Sequence, residues 1–288
     1  MDIVLGTHQY GKAEVRLVHV VRDGERHRLT DLTVSVALAG DLADTHLTGD
    51  NAKVLPTDSQ KNTVYAFARR HGIGEIEEFG LRLARHFVDS QPVITRAIVH
   101  LQQHAWNRVG EHSFTRSGAE TRTATVTVDG PDTVVVSGLT GMVLMNTTGS
   151  EFFGFVRDEY TTLPEAHDRI LATAVDGRWR HTSSESDDWA ASFREARRHL
   201  VEAFVDTYSL SLQQTLYAMG QRVLEHRPEI TEVRMSLPNK HHFLVDLTPF
   251  GLDNPNEVFY AADRPYGLIE GAVRRDDAPR WEESWWNS

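Results

Sequence analysis

Leu32-Thr33-Val34-Ser35-Val36-Ala37-Leu38 alternates apolar and small polar residues along its length. A period of two is the signature of a half-buried strand, with one face toward a core and the other away from it. Upstream, Glu14-Val15-Arg16-Leu17-Val18-His19-Val20-Val21 is a second strand candidate rich in branched residues, and Asp23-Gly24 supplies a turn signal between the two. Downstream of Thr57-Asp58-Ser59 the pattern turns helical and ends near Arg70-His71-Gly72. Asp58 or Ser59 is suited to cap the start of this helix, and Gly72 to close its end. Ile76, Phe79, Leu83 and Phe87 then recur at three and four, giving a second helix with one apolar face. Ile94 to Trp106 reads as a strand.

The rest of the chain repeats this plan. Thr121 to Val128 and Thr133 to Ser137 flank Asp129-Gly130-Pro131-Asp132, a hairpin pattern, and Gly141 to Met145 extends the sheet. Thr162-Leu163-Pro164-Glu165 has capping-box spacing with a first-turn proline and predicts a short helix. A long helix follows with Trp189, Phe193, Ala196, Leu200 and Phe204 on one face. Ser211 to Glu225 is another helix, and Glu232 to Asp246 contains a strand. Each half gives a strand pair, helices and a strand. The expected class is α+β: two tandem domains, residues 1–136 and 137–275, with antiparallel sheets and helices on one face. Open sheets of this kind expose edges, which closure into a barrel by subunit association would remove. Residues 276–288 read as a mobile tail carrying three tryptophans.

Composition bounds the function. The 288 residues carry a formal net charge of −11 with both signs interspersed, so no basic stripe invites nucleic acid. No apolar run approaches the ~20 residues that span a bilayer. The N-terminus lacks the basic and long apolar stretches of a secretion signal. The chain has no cysteine, which excludes disulfides and thiolate chemistry and fits a cytoplasmic setting. Fifteen histidines raise the question of a metal. His100 and His104, however, fall in an expected strand, where residues four apart lie ~13 Å apart. No zinc motif, phosphate loop or nucleophile elbow is present. His71-Gly72-Ile73-Gly74 follows a helix and lacks the third glycine of a dinucleotide loop, so it reads as a helix stop.

Several polar islands remain: Tyr10-Gly11-Lys12, Thr57-Asp58-Ser59-Gln60-Lys61-Asn62-Thr63, the run from Phe152 through Phe155-Val156-Arg157-Asp158-Glu159-Tyr160-Thr161-Thr162-Leu163, and Ser236-Leu237-Pro238-Asn239-Lys240-His241. Singly, each has a structural reading. Lys12 is a surface lysine before a strand, Thr57 a helix-start residue, Arg169 a surface residue on a helix, and Asn239 a turn residue after Pro238. Jointly, in this order, they resemble the urate oxidase family, from about Tyr10 to Gly271.

That resemblance implies two tunnelling-fold (T-fold) domains per subunit, a sixteen-stranded barrel closed by two subunits, and a homotetramer of two stacked barrels. It implies urate and O2 as partners, no cofactor and no metal. Phe152 corresponds to the ring that stacks on the purine, and Arg169 to the side chain that forks onto the urate anion. Leu212, through its backbone, and Gln213 correspond to the pair that binds the pyrimidine edge. Asn239 matches the oxygen-site residue, which Thr57 shares. Lys12, Thr57 and His241 match a proton relay, and Asp58 a contact from the neighbouring subunit. Lys12, Thr57 and Asp58 come from one subunit and the rest from its partner. Leu212 stands where the family often has valine. The chain ends Trp286-Asn287-Ser288 rather than in the peroxisomal Ser-Lys-Leu, as in a bacterial-type cytosolic enzyme.

The implied chemistry is demanding. Triplet oxygen reacts with a singlet substrate only when an electron can be given up singly, a task usually left to metals or flavins. Urate is electron-rich enough once it loses a second proton. The protein must hold a planar anion flat, favour that proton loss and keep oxygen beside the ring. A lysine–threonine pair linked to histidine can serve the second need if burial or a cationic neighbour lets Lys12 act as a base. The expected products are 5-hydroxyisourate and hydrogen peroxide. Two other classes stay open at this point: a related tunnelling-fold pterin or purine enzyme such as a cyclohydrolase, and a non-catalytic purine-binding assembly.

Overall fold

The computed structural model describes residues 2–118, 120–262 and 264–278. Residues 279–288, most of the expected tail, lie outside the described residues. The strands are β1 (Tyr10–Val21), β2 (Arg28–Gly40), β3 (Ile94–His104), β4 (Trp106–Arg108), β5 (Phe114–Arg116), β6 (Thr121–Asp129), β7 (Asp132–Asn146), β8 (Leu171–His181), β9 (Ile230–Pro238), β10 (His242–Leu244), β11 (Phe259–Ala261) and β12 (Leu268–Arg274). The helices are α1 (Ala43–Leu47), α2 (Thr57–His71), α3 (Ile76–Ser90), α4 (Trp189–Asp206) and α5 (Leu212–His226). No helix among the described residues is long and apolar enough to cross a membrane.

The chain divides into two compact units, Met1–Met142 with Ser183–Phe193, and Val143–Thr182 with Arg194–Ser288. In the first unit the strand order is β1-β2-β3-β6-β7, all antiparallel. The alternation read from Leu32–Leu38 sorts its side chains as expected. Leu32, Val34, Val36 and Leu38 are buried, and with Val99, Leu101 and Val126 they pack against Val64 and Phe67 of α2 and Ile76, Phe79, Leu83 and Phe87 of α3. The opposite face is polar: Arg16 bonds Thr33 and Asp31, Thr33 meets His104 at 2.8 Å, and His100 meets Thr125 at 2.9 Å. His100 and His104 are thus held by hydroxyls on one sheet face.

In the second unit the sheet runs β8-β9-β12, antiparallel, with α5 packed against β9 and β12. Trp179, Val233, Met235 and Leu237 are buried on the sheet, with Leu216, Met219 and Val223 of α5. The class is therefore α+β with antiparallel sheets. α5 approaches β12 so closely that a Cβ on Gly220 would lie 2.6 Å from Val273.

Local expectations fared unevenly. Gly72 does terminate α2, at φ 68°. The hairpin at Asp129–Asp132 forms, and β7 runs on through Gly141–Met145. The start of α2 is different from the expected one. Pro56 occupies the cap position without a side-chain hydrogen bond, and Asp58 lies inside the first turn. The helix expected from Thr162-Leu163-Pro164-Glu165 does not form. The backbone there runs into a β-bridge between Ala166 and Phe152, which claims the donor and acceptor that a helix would have used. Arg169 is on no helix. It sits in the loop just before β8, half-buried.

Candidate active site

The second unit carries six of the expected site residues, and the short segment Gly149–Phe152 holds two of them, Phe152 and Arg169, and joins the approach to α5. Extended backbone directs successive groups to opposite sides. Glu151 N–H donates to the Ser209 carbonyl at 2.8 Å, and Ser209 N–H donates to the Gly149 carbonyl at 2.9 Å. On the other side Phe152 exchanges hydrogen bonds with Ala166 at 2.7 and 3.0 Å, and Arg169 N–H donates to the Ser150 carbonyl at 2.9 Å. One thread therefore lies between the approach to Arg169 and the approach to α5.

The side chains converge accordingly. The Arg169 guanidinium carbon lies 5.2 Å from the centroid of the Phe152 ring. Its Nε donates to the Ser150 hydroxyl at 3.3 Å. Burial pushes the Arg169 pKa down, but guanidinium stays charged at any physiological pH. Phe155 stacks on Phe152, with centroids 5.1 Å apart and planes 13° from parallel, and the Arg157 guanidinium carbon lies 5.0 Å from the Phe155 centroid. Phe152 is thus a held ring.

Leu212 and Gln213 open α5. Ser211, in extended conformation, caps the helix by accepting the Gln214 N–H, and Gln214 Oε1 accepts the Leu210 N–H at 2.7 Å. The amides of Leu212 and Gln213 precede the first intrahelical bond, Thr215 N–H to the Ser211 carbonyl. Leu212 is buried while Gln213 is exposed, so a backbone contact from the first and a side-chain contact from the second are both sterically open. Behind them buried hydroxyls lock the turn: Thr215 donates to Ser209 at 2.8 Å, and Ser209 to the Ser211 carbonyl at 3.1 Å.

Asn239 and His241 follow β9. Asn239 bridges Thr173 of β8, its N–H donating to the Gly267 carbonyl at 2.8 Å, and Lys240 N–H donates to the Ala172 carbonyl at 2.8 Å. Arg169 lies only just ahead of these β8 residues, so the arginine and the asparagine share one end of the sheet. His241 stacks near Phe243 and accepts a hydrogen bond from Gly267 N–H through Nε2. Burial first, then the charge of Arg169, then His242 lower its pKa. The lowered pKa favours the neutral form of the imidazole.

Lys12, Thr57 and Asp58 belong to the first unit. Lys12 precedes a bulge in β1, where the register shifts before Val15. Gly11 beside it is needed for close approach, since a Cβ there would sit 1.8 Å from the Val36 carbonyl oxygen. Tyr10 ties β1 to the lead-in of α2 by donating to the Leu55 carbonyl at 3.0 Å. That contact brings Thr57 and Asp58 near Lys12, whose charge contributes to lowering the Asp58 pKa after the larger effects of Lys61 and Asn62. The Asp58 carboxylate is engaged by Lys61 and, at 3.0 Å, by Asn62. Its backbone N–H, in the first turn of an uncapped helix, remains directed at whatever lies beyond the N-terminus. Among the described residues no group of three or more His, Cys, Asp or Glu side chains is placed to hold a metal ion.

Sequence reasoning placed Ser209 and Ser211 before the start of α5 but missed Ser150, Thr215 and the stacking role of Phe155. Small hydroxyl residues have no periodicity to betray them, and only the Phe155 position, inside a quoted motif, carried any signal.

Comparison with known proteins gives the family. The profile of the uricase family matches residues 8–127 and 135–270. The uricase of Arthrobacter globiformis is 53% identical over 285 residues, covering 97% of this chain and 94% of that protein. That of Dictyostelium discoideum is 37% identical over 277 residues, covering 93% and 96%. The crystal structure of the Arthrobacter globiformis uricase superposes with a TM-score of 0.96 at 52% identity over 100% of both chains. A urate oxidase from Bacillus sp. TB-90 gives 0.81 at 25% identity, covering 93% of this chain and 100% of that one. With both halves of the chain matched, this protein belongs to the uricase family.

Proposed function

We propose that this protein oxidises urate with molecular oxygen and water, without a cofactor, giving 5-hydroxyisourate and hydrogen peroxide. Two electrons and two protons leave urate for O2, which becomes peroxide, and water adds its hydroxyl to the oxidised ring. Membership of the uricase family supports the substrate and reaction. The observation that carries the residue roles is the convergence of a charged fork, a held aromatic ring and a helix N-terminus in the second unit.

In this reading urate lies on Phe152, with Arg169 forking onto its anionic edge. Gln213 and the Leu212 backbone amide take the pyrimidine edge, where helix-terminal donors favour an anion. Asn239 holds oxygen beside the ring, helped by Thr57. Lys12, Thr57 and His241 relay the proton whose loss makes urate electron-rich. Asp58 contacts substrate from a neighbouring subunit, and we assign that contact to its backbone amide because its carboxylate is occupied and would repel an anion. Two subunits close a barrel, and two barrels make a homotetramer with sites at the interfaces.

The test is to follow urate absorbance, oxygen uptake and peroxide with purified enzyme after exhaustive chelation. Stoichiometric turnover is expected. Activity lost on chelation and regained only with added metal would overturn the cofactor-free reading. A cyclohydrolase would show no oxygen uptake.

A further inference from the structure

Ser150 is the most enclosed residue of the Gly149–Phe152 thread, 0% exposed. It meets Arg169 twice. Its carbonyl accepts the Arg169 backbone N–H at 2.9 Å, and its hydroxyl accepts the Nε–H at 3.3 Å. We infer that Ser150 is a positioning residue for substrate recognition, setting which edge of the Arg169 guanidinium faces the anion. This rests on the reading of Arg169 as the urate-binding arginine.

A guanidinium has five donors in one plane, and it can offer an anion either the edge between its two Nη atoms or the edge shared by Nε and one Nη. Both edges fit a two-oxygen acceptor. A hydrogen bond that occupies Nε removes the second choice and leaves the Nη edge for the ligand. The backbone bond to the same serine anchors the root of the side chain, and the neighbouring Phe152 ring restricts its tilt. The thread itself is clamped on its other side by the Ser150–Ser209 bridge.

The chemistry of the partner matters as much as its place. A carboxylate is the commoner mate for a half-buried arginine, and it would neutralise the charge. Serine satisfies Nε–H while leaving the full positive charge for an anionic substrate. No ion pair engages Arg169 among the described residues.

The experiment compares Ser150→Ala, Ser150→Cys, Arg169→Lys and Ser150→Ala/Arg169→Lys in the full-length enzyme. Urate dissociation is measured anaerobically, and kcat and KM in air. Ser150→Ala is expected to raise the urate Kd and KM about tenfold with kcat within about twofold, the scale of one hydrogen bond to a charged group. Ser150→Cys, similar in size with a weaker acceptor, should fall between Ala and wild type, and it serves alone if the alanine variant fails to fold. Lysine has no Nε–H, so Ser150→Ala should cause no further loss in the Arg169→Lys background. An unchanged KM in Ser150→Ala, or the same loss in both backgrounds, overturns the inference while leaving Arg169 in the site. Unchanged urate binding in Arg169→Lys overturns the reading of Arg169 and this inference with it.

Discussion

The Arg169 guanidinium carbon sits 5.2 Å from the centroid of the Phe152 ring, and the two residues are joined through the backbone of one extended thread. Ring and fork are therefore placed by the same hydrogen bonds, and a flat anion that touches both needs no adjustment between them. Lysine at position 169 would keep the charge but lose the planar pair of donors. Losing one charge-assisted hydrogen bond costs roughly 1.5–3 kcal/mol. Arg169→Lys should weaken urate binding about ten- to a hundredfold, measured by anaerobic titration. An unchanged dissociation constant would remove Arg169 from the site.

The acid limb of the activity profile should belong to His241. Burial and the nearby charges of Arg169 and His242 disfavour its protonated form, so its folded pKa lies below the usual histidine value of about 6.5. As pH falls, the neutral ring that can accept a proton persists to that lowered value and is then lost. Activity should therefore hold below the ordinary histidine range and fall only beyond it. His241→Ala should lose about a hundredfold or more in rate, as expected on removal of a proton-transfer group. Arg169→Ala should let the His241 titration, followed by imidazole NMR, move back up. A titration that stays put would mean that Arg169 does not reach the ring.

Much of the first unit was legible because its residues report a period. Leu32–Leu38 and the Ile76, Phe79, Leu83, Phe87 face each bury one side against a core, and burial writes itself into sequence. β8 was not seen. Its Asp176, Arg178 and Arg180 put charges on the face turned from the helices, and Gly177 interrupts the apolar side. The helix expected at Thr162–Glu165 failed because its capping pattern is local, whereas the backbone of Ala166 is spent on Phe152, a partner distant in sequence. The site followed the same division. Lys12 and Thr57 stand in different elements, β1 and α2, which the Tyr10 contact with Leu55 ties together and which no spacing announces. Family resemblance singles them out, and the fold of the first unit supplies the physical reason for their proximity.

Gly11 is expected to be intolerant of any side chain. A Cβ there would lie 1.8 Å from the Val36 carbonyl oxygen, a backbone atom that cannot swing aside. β1 would have to move off β2, and Lys12 is the next residue. Gly11→Ala should cost about 1–3 kcal/mol or more by overpacking, read as a fall in melting temperature, and should lower kcat beyond what the stability loss explains. Gly24→Ala is the control, since a Cβ at that position would meet nothing within 4 Å. Equal melting temperatures for the two variants would show that the strands separate freely at Gly11.

The division of the proposed site between the units gives a test of assembly. Lys12, Thr57 and Asp58 lie in the first unit, and Phe152, Arg169, Leu212, Gln213, Asn239 and His241 in the second. If each active site joins the first set of one subunit to the second set of its partner, Thr57→Ala and Arg169→Ala disable opposite sides of it. In a mixed dimer one interface then carries both defects and the other carries none. Two inactive proteins, mixed under conditions of reversible dissociation, should recover up to about half the activity of wild type per mixed dimer, as the counting of intact interfaces requires. The intact interface should show wild-type KM, because its residues are all native. Labelled subunits must be used to prove exchange. Exchange without recovery would place the whole site within one chain. Recovery would tie turnover to association, so that dilution below the assembly constant should abolish activity and lower stability together.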